Sequence, residues 1–232
     1  MTATPDHVAV AVHAIDAAAD RWVEQLGGTF VAPVWDDGSG FRTRQVRFRG
    51  GGKLELLEPV AADGFAQDFL DRYGPRIHHV TLKVPDLRTA VTEVEAAGYD
   101  VVDVDDRDPV WREGFLRPSQ VGGIIVQLAE TSVGDDDWAR EAGVEVPEPR
   151  ADAPALVGPT LTSPDLDAAR RLWATLGATV ADDRDALLAV WPGTPLSVRV
   201  EPGLAAGPTG LRFTPDPGLP SDDTAGPMTL PV

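Results

Sequence analysis

The feature that most constrains this chain is an internal repeat. Ile77-His78-His79-Val80-Thr81-Leu82-Lys83-Val84 restates an earlier stretch at a constant shift, so that His79 falls on His7 and Val80 on Val8. Further along, Leu87 falls on Ile15, Gln127 on Glu55 and Glu130 on Glu58. A repeat sets the architecture first, because each copy is one supersecondary unit that buries its apolar face against a neighbour. The repeated positions also carry imidazole, carboxylate and amide groups, the residue types that ligate metals.

Each copy reads β-α-β-β-β. Val8, Val10 and Val12 alternate with His7, Ala9 and Ala11, the period of a strand with two unlike faces. A helix follows over 15–26, with Ile15, Ala18, Ala19, Trp22, Val23 and Leu26 on one stripe and Gly27 as its stop. Strands are predicted over 29–34, 42–49 and 53–57, with a turn at 36–40 and a hairpin through Gly50-Gly51-Gly52. Residues 63–74 read as a connecting helix. The second copy has a strand over 77–84 and a helix from the N-cap Asp86 to Ala97. Strands over 100–104, 114–117 and 123–129 complete it, with 103–108 an acidic loop.

The composition then shifts. Residues 131–154 carry Asp135-Asp136-Asp137 and several prolines, and read as a linker with one helical turn near Trp138. A degenerate third copy follows, in which Pro164 to Trp173 mirrors Ala14 to Trp22. Gly158 stands in the place of His7 and Val198 in that of Glu55, so this copy has no ligands. After about residue 203 the chain is expected to be irregular beyond at most one strand. The expected domains are therefore 1–130, a linker at 131–154, and a third module with its tail at 155–232. A lone third module leaves a bare face and edge, which argues for a homodimer, the alternative being that the module covers the first domain.

Alternation also orients the polar residues. If Val8, Val10 and Val12 face the helix, His7 points the other way, and the same logic turns out Glu55, His79 and Gln127. Val46 and Phe48 pack on the helix side, which sends Gln45, Arg47 and Arg49 to the same opposite face. A carboxylate there is costly without a cation or other partner. The chain lacks cysteine, so disulfides and thiolate ligands are excluded. A formal charge of −17 repels nucleic acid and anionic membranes. No apolar run has the length of a membrane span, and Met1 to Pro5 lacks a signal-peptide pattern, so the cytoplasm is expected.

Asp6-His7-Val8-Ala9-Val10, Lys53 to Pro59, Phe65 to Gly74, Ile77-His78-His79-Val80 and Gly122 to Leu128 together resemble the vicinal oxygen chelate (glyoxalase/bleomycin-resistance/dioxygenase) superfamily. Over residues 5–130 the resemblance is to the methylmalonyl-CoA epimerase branch. It implies an α+β fold in which paired βαβββ modules form a cupped eight-stranded mixed sheet, with the degenerate third module beside it. It also implies one divalent ion held by His7, Glu55, His79 and Gln127; Zn, Ni, Co, Mn and Fe(II) all suit these donors.

The implied chemistry is proton transfer next to a carbonyl of a small substrate, an acyl-CoA or a 2-oxo acid, through a metal-stabilised enolate. The chain departs from the branch at its two proton-carrying acids, where Gln127 and Gln45 stand, and amides do not shuttle protons. Because the modules are nearly symmetric, Glu55 takes the role of ligand and base from the opposite half, with Glu113 as second acid. Gln45 and Arg47 are the expected substrate contacts. An isomerase, epimerase or lyase follows. The alternatives are a non-haem Fe(II) ring-cleavage-type dioxygenase using His7, His79 and Glu55, and a non-catalytic small-molecule binding or resistance protein.

Overall fold

A computed structural model describes residues 1–36, 38–214 and 228–230. The first repeat copy comprises β1 (Thr4–Ala11), α1 (Ile15–Ala19), β2 (Thr29–Phe30), β3 (Phe41–Arg47) and β4 (Lys53–Pro59). The connecting helix α2 (Phe65–Tyr73) leads to the second copy: β5 (Arg76–Lys83), α3 (Leu87–Ala96), β6 (Val101–Asp105), β7 (Arg112–Leu116) and β8 (Ile125–Glu130). These strands form one eight-stranded mixed sheet in the order β2-β3-β4-β1-β5-β8-β7-β6, with the two repeat-opening strands side by side at its centre. The symmetry is visible in the pairing, since β1 runs parallel to β4 and β5 runs parallel to β8.

The third copy is β9 (Ala155–Ser163), α5 (Leu166–Thr175), β10 (Thr179–Asp183), β11 (Ala186–Val190) and β12 (Ser197–Pro202). Before it, α4 (Asp135–Glu141) occupies part of the expected linker. The tail adds two strands where at most one was expected, β13 (Gly207–Thr214) and β14 (Met228–Leu230). They extend the second sheet, whose order is β10-β11-β12-β9-β13-β14. β13 thus lies along β9, on the side that the third copy alone would leave open. The rest of the expected irregular tail, at 215–227 and 231–232, lies outside the described residues, as does Asp37 of the predicted turn.

The helix predicted over 15–26 is α-helical only to Ala19 and continues as a π-helix over Asp20–Gln25. Its wider turn shows in the bond from Leu26 N to Arg21 O at 3.1 Å. The buried Trp22 lies in this stretch. The acidic loop expected from Asp103 is in part strand, because β6 reaches Asp105 through an irregular register.

Contacts gather the chain into two compact units. One draws on Met1–His7, His79–Ser132 and Gly158–Gly210, the other on Val8–His78, Val133–Val157 and Leu211–Val232. Within the second, Trp22 stacks on Phe213 at 6.3 Å and Phe48 meets the same ring edge-on at 5.3 Å. Ala153, at the end of the expected linker, is buried there, and Arg49 Nε donates to its carbonyl at 2.7 Å. Within the first, Trp173 and Trp191 pack edge to face at 6.0 Å.

The third copy lies one residue from its expected register. Ala9 pairs with Glu55 across β1 and β4, whereas Thr160 pairs with Arg199 across β9 and β12. With Gly158 in the place of His7, Thr160 takes that of Ala9, so Arg199 and not Val198 stands where Glu55 does. Val198 and Val200 are buried, as Leu54 and Leu56 are. One residue of slip moves a side chain to the other face. Gly158 itself has φ +117, and a Cβ there would lie 2.1 Å from the Ser197 carbonyl oxygen.

The repeated glutamates explain why each helix starts where it does. Glu58 Oε2 accepts from the Ile15 backbone N–H at 2.8 Å and its Oε1 from Arg42 at 2.8 Å. Glu130 does the same for Leu87, at 2.9 Å, and Arg112, at 2.7 Å. Each carboxylate meets an unpaired donor and the positive end of a helix from a distant strand. Replacing Glu58 by Ala strands the Ile15 N–H and is expected to cost about 1–3 kcal/mol in urea unfolding. Glu130→Ala should cost less, because that side chain is 23% exposed against 11% for Glu58.

Candidate metal centre

The sequence puts two histidines at the openings of β1 and β5, and the fold turns them toward each other. Their rings stand edge to face with centroids 5.7 Å apart. From His7 to Ala11 every residue of β1 is buried, so both faces of the strand are covered. Polar groups placed there must find partners within the protein.

His7 does. Its Nδ1 lies 2.7 Å from Asp6 Oδ2, and Asp6 Oδ1 is held by Lys83 Nζ at 2.8 Å. A carboxylate accepts only, so Nδ1 is the donor and Nε2 is the nitrogen left to face the site. Thr81, two residues beyond His79 and wholly buried, places its hydroxyl 2.9 Å from that Nε2. The same hydroxyl donates to Gln127 Oε1 at 2.6 Å. Gln127 Nε2 in turn donates to Glu113 Oε2 at 2.7 Å, an oxygen that also accepts from Trp111 Nε1 at 2.7 Å. The two ends of the amide are thereby distinguished: the oxygen faces Thr81 and His7, the nitrogen Glu113.

On the first copy, Glu55 lies on β4 in register with Gln45 of β3, whose Nε2 donates to Glu55 Oε2 at 3.3 Å. His7, Glu55 and His79 each offer a ligand atom, all within 4.8 Å of one another. Two imidazoles and a carboxylate, with one ring oriented by a second carboxylate, fit a borderline divalent ion. Arg47, expected on the same face as Gln45, pairs with Glu148 at 3.7 Å.

Sequence reasoning missed Asp6, Lys83 and Thr81. Thr81 was legible in principle, since it follows His79 by two and alternation puts both on one face. Asp6 and Lys83 left no periodic signal. His78, set apart from the ligands by alternation, packs between aromatic rings, 5.8 Å from Phe65 and 4.6 Å from Phe69. Burial pushes its pKa down to about 4, with Glu55 pulling weakly the other way.

Residues 6–115 match the family model of the Glyoxalase/Bleomycin resistance protein/Dioxygenase superfamily, and the chain carries a domain of that superfamily. An uncharacterized protein of Bacillus subtilis is 29% identical over 134 residues, 54% of this chain and 90% of its own length. The ethylmalonyl-CoA/methylmalonyl-CoA epimerase of Cereibacter sphaeroides is 28% identical over 130 residues, 54% of this chain and 96% of its own. Among solved structures, the methylmalonyl-CoA epimerase of Mycobacterium tuberculosis superposes with a TM-score of 0.51 at 27% identity, covering 57% of this chain and 94% of that one. A hypothetical protein of Staphylococcus aureus follows the fold over 89% of this chain and 88% of its own, with a TM-score of 0.63 at 12% identity. Among the described residues no helix is long and apolar enough to cross a membrane.

The His78 environment gives a pH test. A histidine kept neutral by burial is charged in the unfolded chain below about pH 6.5, so stability falls as pH drops from there and levels off below about 4. The difference in unfolding free energy between wild type and His78→Phe should follow that window, with the variant the less sensitive of the two.

Proposed function

We propose that the chain is a divalent-metal-dependent isomerase, epimerase or lyase that moves a proton on the carbon next to a carbonyl. The single observation that carries this is the convergence of His7, Glu55 and His79 within 4.8 Å. The named epimerase relatives support the reaction class, and an acyl thioester or 2-oxo acid is the substrate class assigned. The catalytic part is residues 1–130, joined by the segment 131–154 to a third module at 155–232 that takes no part in ligation.

His7 through Nε2, His79 and Glu55 would hold the ion, with Gln127 Oε1 as fourth donor. When bound, a divalent ion supplies Lewis-acid polarisation of the substrate's carbonyl, which acidifies the neighbouring C–H. Glu55 takes that proton, steadied by the amide of Gln45. Glu113, held by Gln127 and Trp111 on the second copy, returns a proton. Gln45 and Arg47 line the substrate's approach from β3.

Wild-type protein stripped by chelator and reloaded should take up one ion per chain by elemental analysis, and should exchange the α-hydrogen of a 2-methyl acyl thioester with deuterated solvent. Glu55→Gln should lower exchange by about 10²–10⁴-fold, while Glu113→Gln keeps its ion and loses turnover. Asp6→Asn should weaken metal binding by about 10–100-fold, because the His7 ring loses its fixed orientation. Failure of the wild type to bind any divalent ion sinks the proposal.

A second reading draws on the same donors. Two histidines and one carboxylate are the set used by non-haem Fe(II) oxygenases. Oxygen consumption by Fe(II)-loaded protein with a catechol, in place of α-hydrogen exchange, would favour it.

A further inference from the structure

The two copies place different chemistry at one repeated position of the sheet. Register sets Gln45 of β3 opposite Glu55 of β4, and Phe115 of β7 opposite Gln127 of β8. A half-buried phenyl ring thus stands in the second copy where an amide stands in the first. Gly114 and Leu116 are buried on one face of β7, so alternation leaves Glu113 and Phe115 together on the other, the face of Gln127. Trp111 joins them from just before the strand. Its indole N–H donates to Glu113 Oε2 at 2.7 Å, and that bond fixes a second half-buried ring beside the acid. Gln127 Nε2 donates to the same oxygen at 2.7 Å. Glu113 is therefore flanked by aromatic surface that the core does not use up.

We infer that Trp111 and Phe115 are specificity-determining residues, an apolar wall that takes a bulky side chain, aromatic above all, of an α-branched acyl group. The inference rests on the proposed proton transfer at Glu113 and names the substrate class of that site. A substituent on the carbon that Glu113 protonates must lie against whatever flanks Glu113. Same-face positions on a strand are about 7 Å apart, a span that one group of phenyl size covers. Setting such a group against two rings removes far more apolar area from water than a methyl group does, and adds ring-to-ring contact. A small substituent leaves both rings wet.

The test compares thioesters of 2-methylpropanoic acid and 2-benzylpropanoic acid. The methylene between the phenyl ring and the α-carbon keeps their C–H acidities alike, so a difference between them reports contact with the protein. Binding to chelator-stripped protein is read by calorimetry, apart from turnover, and α-hydrogen exchange by metal-loaded protein is read in deuterated solvent. Wild type should bind the benzyl compound about 10–100-fold more tightly and exchange it with a kcat/KM higher by a similar factor. Phe115→Gln, which installs the first copy's residue, and Trp111→Ala should each remove most of that preference. Trp111→Phe, which keeps a ring, should retain it. Residues that only packed would, on substitution, lower the melting temperature and affect both thioesters alike. Equal binding of the two by wild type, or a preference that either Phe115→Gln or Trp111→Ala leaves unchanged, overturns this inference alone. A wild type that takes up no divalent ion and exchanges neither thioester overturns the proposed reaction and this inference with it.

Discussion

The cost of burying polar groups at the centre of a sheet governs this protein. His7, Thr81 and Gln127 are all less than 9% exposed, amid buried valine, leucine and alanine side chains such as Val8, Ala9, Val80, Leu82, Val126 and Leu128. None could sit there unsatisfied without losing a sizeable part of a domain's stability. The run of bonds from Lys83 through Asp6, His7, Thr81 and Gln127 to Glu113 and Trp111 meets that cost. It also fixes which atom of each side chain faces the proposed ligand shell. Structural necessity and chemical aim are served by the same contacts.

The repeat does a second job away from the site. Glu58 and Glu130 sit at the ends of β4 and β8, yet each closes the start of its copy's helix and takes an arginine from the adjacent strand. Strand register and helix placement are thereby tied in each copy. A shift of β4 along β1 would move Glu55 from its position beside Ala9 and pull Glu58 off Ile15 together. The proposed ligand set takes the placement of Glu55 from this coupling.

Much of this was legible from residues alone, for physical reasons. The period of two and the constant shift between copies set the strands, their faces and the pairing of His7 with His79. The same pattern located Glu55, Gln127 and Gln45, because each follows buried neighbours in strict alternation. Glu113 was harder, since a residue at a strand start has no alternating context, and it joined the site only through its bonds to Gln127 and Trp111. Arg47 was read to the correct strand, but its pairing with Glu148 depends on a segment with no periodic signal. The π-helical stretch after Ala19 hid for a different reason: its stripe of apolar residues differs little from that of an α-helix over six residues. The third copy was misread by one position, and only the pairing of β9 with β12 shows Arg199 where Glu55 would be.

Gly158 shuts the third module to coordination. A histidine there would push its Cβ into the Ser197 carbonyl, so the backbones of β9 and β12 would have to part before any ligand could stand in that place. Nearby on β12, Arg199 is bound to Asp183 and Glu201, so the carboxylates that could meet a cation there already hold a guanidinium. Placing a ligand in the third module therefore needs several simultaneous changes: a parted strand pair, a new side chain at 158 and a displaced guanidinium.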